Sequence, residues 1–201
     1  MTAITMRGTN VRPLGLVTVA ASLIGAACAV VILAWPPQVS EQWYSYPFDP
    51  TGYVVSQSFF AVHHLGILAG LYGLALVTWP GAGRMIKAGL IIAGVGMIGL
   101  TACELFAITA ANAQVGTPAA DAVDNAYGAP MIGVGIGLVL AGAGLLRRKL
   151  AAGGITLALG VYVFVPLFPA VFGPMVLGRI AIGVWMLMFA ALGVALMRTE
   201  R

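Results

Sequence analysis

Charge in this chain is confined almost entirely to the ends of long apolar runs. Arg7 and Arg12 precede the first run, Arg84 and Lys87 and then Arg147, Arg148 and Lys149 separate later ones, and Arg198 and Arg201 follow the last. The runs between are close to the roughly 17–25 residues that an α-helix needs to cross a bilayer core. In lipid every backbone N–H and C=O must be paired within the structure, so runs of this length leave helices as the fold. Composition agrees, since only 8% of the 201 residues are charged and 61% are hydrophobic. A soluble domain carries about a quarter charged residues, so this chain cannot cover a water-facing surface.

Turn chemistry divides the chain into six spans, from about Pro13 to Trp35, Tyr53 to Trp79, Met85 to Asn112, Ala129 to Leu146, Gly153 to Phe172 and Leu177 to Met197. The breaks carry Pro36-Pro37, Pro80-Gly81, Pro118, Gly128 and Pro130, Gly153-Gly154, and Gly173-Pro174. The expected fold is an all-α polytopic membrane protein, one transmembrane domain built as a bundle of six helices. The first run is too long for a signal-peptide core, and Trp35-Pro36-Pro37 does not resemble a small-residue cleavage site, so it is read as a retained helix.

In a six-span arrangement nine of the ten Lys and Arg residues fall on one side, while Glu41, Asp49, Asp121 and Asp124 lie on the other. The positive-inside rule then places both termini in the cytoplasm. The net charge of +4 is explained by these topology clusters, and nucleic acid is not an expected partner. Wealth in Ala, Gly and Val, with Arg favoured over Lys, suits a GC-rich bacterial origin, hence a bacterial plasma membrane.

Two outer segments exceed simple turns. The loop from Pro36 to Gly52 places Trp43, Tyr44, Tyr46 and Phe48 among prolines, which suits an interfacial aromatic belt or a lid over an outward cavity. The segment from Gln114 to Gly128 reads as an exposed connection. Small residues form three ridges: Gly66, Gly70 and Gly73; Gly89, Ala93 and Gly96; and Gly133, Gly137 and Ala141. Such ridges let helix backbones approach closely, within one chain or between chains.

The polar groups inside the spans are the candidate functional residues: Gln57, His63, His64, Glu104 and Arg179. An ionisable group in hydrocarbon must be shielded by protein, water or a partner. His63 and His64 point about 100° apart, so they cannot converge on one atom. His63 projects near the Gly66–Gly70–Gly73 ridge and is expected against a neighbouring helix. His64 shares a stripe with Gln57 and requires a helix or wet cavity beside it. Thr101, Glu104 and Asn112 fall on one stripe of the third helix, with Glu104 in the outer half of the bilayer. Glu104 is expected as the neutral acid, unless Arg179 reaches it. Pro166, Pro169 and Pro174 break helical hydrogen bonding before Arg179, so the outer halves of the last two spans are expected to border a cavity.

Cys28 and Cys103 lie at similar depth, but without a CxxC they read as small hydrophobes. No metal site and no cofactor are expected. A second intramembrane His pair is missing, which excludes a two-haem arrangement and leaves a single haem as the alternative. With no phosphate loop, HExxH or Gly-x-Ser-x-Gly elbow in the sequence, the first reading is a non-enzymatic accessory subunit of a larger membrane assembly. Its partners would be the lipid bilayer and other membrane subunits or further copies of itself. The alternative is a small carrier or binding protein for a lipophilic or protonatable ligand, and a membrane redox protein or enzyme stands third.

Overall fold

The computed structural model describes residues 10–167, 170 and 173–198. Its elements are α1 (Arg12–Ala34), α2 (Pro50–Thr78), α3 (Arg84–Ala107), α4 (Pro118–Arg147), α5 (Ala152–Tyr162) and α6 (Met175–Met197). A 3₁₀ turn, Ile108–Ala110, extends α3, and a π-helical stretch, Val163–Leu167, extends α5. The single β feature among the described residues is one antiparallel bridge between Trp43 and Gln114.

Five of these helices are long and apolar enough to cross a membrane, and the apolar run Ala152–Leu167 is shorter. The expected fifth span ran to Phe172, and residues 168, 169, 171 and 172 lie outside the described ones. So does Pro169, one of the three prolines expected to break this region; Pro166 sits inside the π-helical stretch, and Pro174 is the N-cap of α6.

The fourth span corrects the reading of the sequence. α4 begins at Pro118, not Ala129, so most of the segment read as an exposed connection is helix. Proline at the first helical position forfeits an N–H that has no intrahelical partner anyway, and Asp121 in the first turn favours the helix N-terminus. α2 likewise starts at Pro50 rather than Tyr53, because the Asp49 carboxylate accepts the Gly52 N–H at 2.6 Å.

Helix faces are arranged inside out relative to a soluble bundle. On α1 the buried positions are Gly15, Thr18, Ser22, Gly25, Ala29 and Ile32, while Leu16, Val17, Leu23, Ile24, Val30 and Val31 are exposed. Large apolar side chains outside and small ones between helices are what lipid as solvent selects, since close backbone packing replaces hydrophobic burial as the force between helices.

The three ridges are spent within the chain. A Cβ on Gly66 would strike Ala21 of α1 at 2.6 Å, and one on Gly70 would strike Thr18 at 2.7 Å. Gly89 sits 2.6 Å, by the same measure, from the Gly137 carbonyl, and Gly137 packs on Ala93 and Gly89 in return. Each helix therefore packs on its neighbours in chain order, and α6 returns to α1, closing the ring; α2 also touches α6. The core inside holds Ile67, Leu71, Leu74, Met97, Leu138, Leu159, Trp185 and Phe189.

The two ends of the bundle differ. Arg12, Arg84, Lys87, Arg147, Arg148, Lys149 and Arg198 lie at or near helix termini of one end, where the Lys87 ammonium stands 5.2 Å from the Trp79 ring centre. The other end is capped by the loop between α1 and α2. Tyr44 donates its hydroxyl to Asp124 at 2.6 Å and its backbone N–H to Ala113. The Val115 N–H donates to the Gln42 carbonyl, and Tyr44, Phe48, Tyr53, Ala107, Ala110 and Val123 form a second apolar cluster there.

Candidate functional site

Beneath that cap, four helices bring polar side chains to one place. α2 supplies Tyr53, Gln57 and His64 along one face, at intervals of four and seven residues. α3 supplies Glu104, α4 supplies Tyr127, and α6 supplies Arg179 near its first turn.

The His64 Nδ1 atom is buried without a hydrogen-bond partner and lies 3.8 Å from Glu104 Oε1. The two side chains are only 11% and 12% exposed. Their separation is longer than a hydrogen bond. Tyr127 and Gln57 lie close to the Glu104 carboxyl, and the Gln57 amide donates to the Tyr127 hydroxyl at 3.5 Å. Arg179 lies within electrostatic range of Glu104, Tyr53 and Tyr127, but among the described residues no Lys or Arg comes within 4.0 Å of a carboxylate. The arrangement holds an acid and an imidazole side by side in low dielectric, with hydroxyl and amide groups at their flank and one cation nearby.

The cap meets this cluster through Tyr44, whose ring lies edge-on to Tyr53 at 6.1 Å. Burial first, and then the bond to Asp124, push the Tyr44 hydroxyl well above the usual phenol range. The aromatic loop is thus fastened across the end of the bundle. A cleft of about 330 Å³ opens beside it, lined by Pro50, Thr51, Val54, Ile108, Ala111 and Asn112, with none of the cluster residues in its wall.

Of the residues singled out from sequence, Gln57, His64 and Glu104 come together, with Arg179 near them. His63 does not join. Its Nε2–H donates to the Ala21 carbonyl of α1 at 2.9 Å, since a carbonyl can only accept, and its ring fills the space left by Gly25. Asn112 is exposed beyond the end of α3, and Thr101 bonds back to the Met97 carbonyl. Both cysteines are free thiols. Cys103 repairs a gap in the hydrogen bonding of α4. Pro130 has no N–H to give the Ala126 carbonyl four residues before it, and the Cys103 thiol donates there at 3.3 Å.

Sequence reasoning missed Tyr127, Tyr53 and the Tyr44–Asp124 bond. The signal for Tyr127 was present in Pro118 as a helix start followed by Ala119, Ala120 and Ala122. Among the described residues no three His, Cys, Asp or Glu side chains group as metal ligands. Comparison of the chain with protein-family models, with curated proteins and with solved structures gives no significant match.

Proposed function

We propose that this chain is a small proton-linked binding or carrier protein for a lipophilic, protonatable or hydroxylated ligand, held at the Glu104–His64 cluster. The observation that carries the reading is the unpartnered, buried His64 Nδ1 facing Glu104 at 3.8 Å. A buried polar atom left unsatisfied costs about 1–3 kcal/mol, and an ionisable pair inside a membrane span marks a functional site before it marks a stabilising one. The carboxyl and the imidazole stand too far apart to bond directly, and a ligand hydroxyl or amine bridging them would satisfy both.

The accessory-subunit reading rests on the lack of a catalytic motif, the scarcity of polar groups and the small-residue faces available to a partner. Those faces pack on one another inside the chain, so the weight moves to the polar cluster. The topology proposed with this reading is six spans with both termini in the cytoplasm of a bacterial cell. No cofactor is required by it, and in this setting the cap faces outward.

The test is thermal unfolding of the detergent-purified protein against a panel of lipophilic amines and alcohols. A ligand binding only the folded state at about 100 times its Kd stabilises by roughly 2.7 kcal/mol. At least one compound is expected to raise the unfolding midpoint of the wild type and to lose that effect in Glu104→Gln and His64→Ala. Glu104→Gln itself is expected to fold, because the amide matches the carboxyl in size and still offers hydrogen-bonding groups. Equal shifts in all three proteins, or a stoichiometric protein partner copurifying with the wild type, would remove the proposal.

A further inference from the structure

Arg179 is the one member of the polar cluster whose role the Glu104–His64 pair leaves open. It stands one turn into α6 and, among the described residues, is the sole Lys or Arg at the capped end. One flank borders a groove between α1 and α6 whose other lining residues are all apolar, so no side-chain acceptor is offered there. The other flank lies close to Glu104, Tyr53 and Tyr127. Yet among the described residues the guanidinium makes no hydrogen bond, and no carboxylate comes within 4.0 Å of it. A cation held away from water is costly unless it is paired and hydrogen-bonded.

Donors outnumber acceptors throughout this cluster. Arg179 brings a planar fork of N–H groups, Tyr53 and Tyr127 an O–H each, and Gln57 an amide. Against them stands a single carboxyl, that of Glu104. The Gln57 amide is used on Tyr127, whereas the hydroxyl of the buried Tyr53 makes no hydrogen bond among the described residues. The His64 Nδ1 atom is likewise buried without a partner. What completes such a set is an acceptor bearing negative charge. One cation balances one such charge, which suits a carboxylate, since a phosphate monoester carries about −1.5 to −2 near pH 7. A guanidinium holds a carboxylate through two parallel N–H···O bonds, and its fork leaves further N–H groups to face Glu104.

We infer that Arg179 is the specificity-determining residue of the site, and that the ligand is a lipophilic monocarboxylic acid with a hydroxyl or amine beside the carboxyl. Arg179 and Tyr53 hold the carboxylate, while Glu104 and His64 take the hydroxyl or amine. This assignment rests on the reading of the Glu104–His64 pair as a ligand site, and it adds the charge of the ligand. Without Arg179, an acid entering beside Glu104 would set two carboxyl groups against each other in low dielectric.

The experiment measures dissociation constants for two matched pairs on the full-length protein in uncharged detergent. The pairs are 2-hydroxydecanoate with 1,2-decanediol, and 2-aminodecanoate with 2-amino-1-decanol, and within each only a carboxylate is exchanged for a hydroxymethyl group. In at least one pair the wild type is expected to bind the acid at least about tenfold more tightly than the alcohol. Arg179→Gln should bring that ratio to about one or below while still binding the alcohol. Arg179→Lys keeps the charge without the fork, and should fall between the two. Circular dichroism confirms that each variant is folded, and Arg179→Met, which keeps the apolar stem, replaces Arg179→Gln should that variant not fold. Decyl phosphate should bind more weakly than the favoured acid. Alcohols that bind as tightly as their acids in both pairs, a ratio unchanged on loss of the Arg179 charge, or tighter binding of decyl phosphate would overturn the inference and leave the Glu104–His64 reading standing. Absence of binding by all four compounds would remove both.

Discussion

Pro130 lies inside α4 on the face that meets α3, where its ring covers Gly99 at 3.0 Å from a would-be Cβ. The carbonyl it leaves without a helical partner is met by the Cys103 thiol. Cys103→Ala should therefore destabilise by about 1 kcal/mol or more, the cost of an unmade bond at a buried carbonyl. Pro130→Ala restores an N–H to the same carbonyl, so the Cys103→Ala penalty should shrink in that background; a double-mutant cycle by thermal unfolding in detergent reads the coupling. Additive penalties would show that the thiol contact is incidental. At this scale the sequence was uneven as a guide. The direction of His63 toward a neighbouring helix followed from its place beside the Gly66–Gly70–Gly73 ridge. The Cys103 bond did not, because it joins one residue to the defect that another creates on a different helix.

Helices are held by the small-residue seams, and here substitution effects should divide sharply. Gly137→Ala drives a methyl into the Gly89 carbonyl, 2.6 Å away, and into the Ala93 backbone. Backbone cannot swing aside as a side chain can, so a loss of at least about 2 kcal/mol is expected, at the upper end of single-site effects. Gly94→Ala on the neighbouring α3 meets nothing within 4 Å and should be neutral or stabilising by roughly 0.4–1 kcal/mol, since alanine is the better helix former. Unfolding midpoints of the two variants give the comparison. The ridges were legible because glycine spacing is a local signal, but their packing on one another within the chain was not, since spacing alone leaves the partner open. The first eleven residues of α4 were not legible. Their alanines and acids lack the apolar character by which spans are found, although helix propensity alone would have extended the helix. Tyr127 was lost with them.

Across the whole molecule the cap joins segments far apart in the chain, since Tyr44 and Asp124 are separated by 80 residues. Tyr44 ionises less readily folded than unfolded, where its ordinary value is 10.0. A raised value means that the stability it contributes is complete below that pH and declines as pH rises above it. Wild-type stability should therefore fall on the alkaline side of about 10, the ordinary phenol pKa, and Tyr44→Phe should blunt that fall, as alkaline unfolding curves would record. Sidedness is read with impermeant thiol reagents on intact cells: Glu41→Cys should label and Arg148→Cys should not, and labelling at position 148 would invert the proposed topology. Ring closure carries a further consequence, for biosynthesis. The inner face of α1, with Thr18, Ser22 and Gly25, is completed only by α2 and α6 together. A ribosome takes on the order of ten seconds to travel from the first helix to the last at about 5–20 residues per second. During that interval the first helix lies in the bilayer with part of its hydroxyl-bearing seam uncovered, so a nascent chain arrested before Met175 should be the form that membrane quality-control proteases degrade.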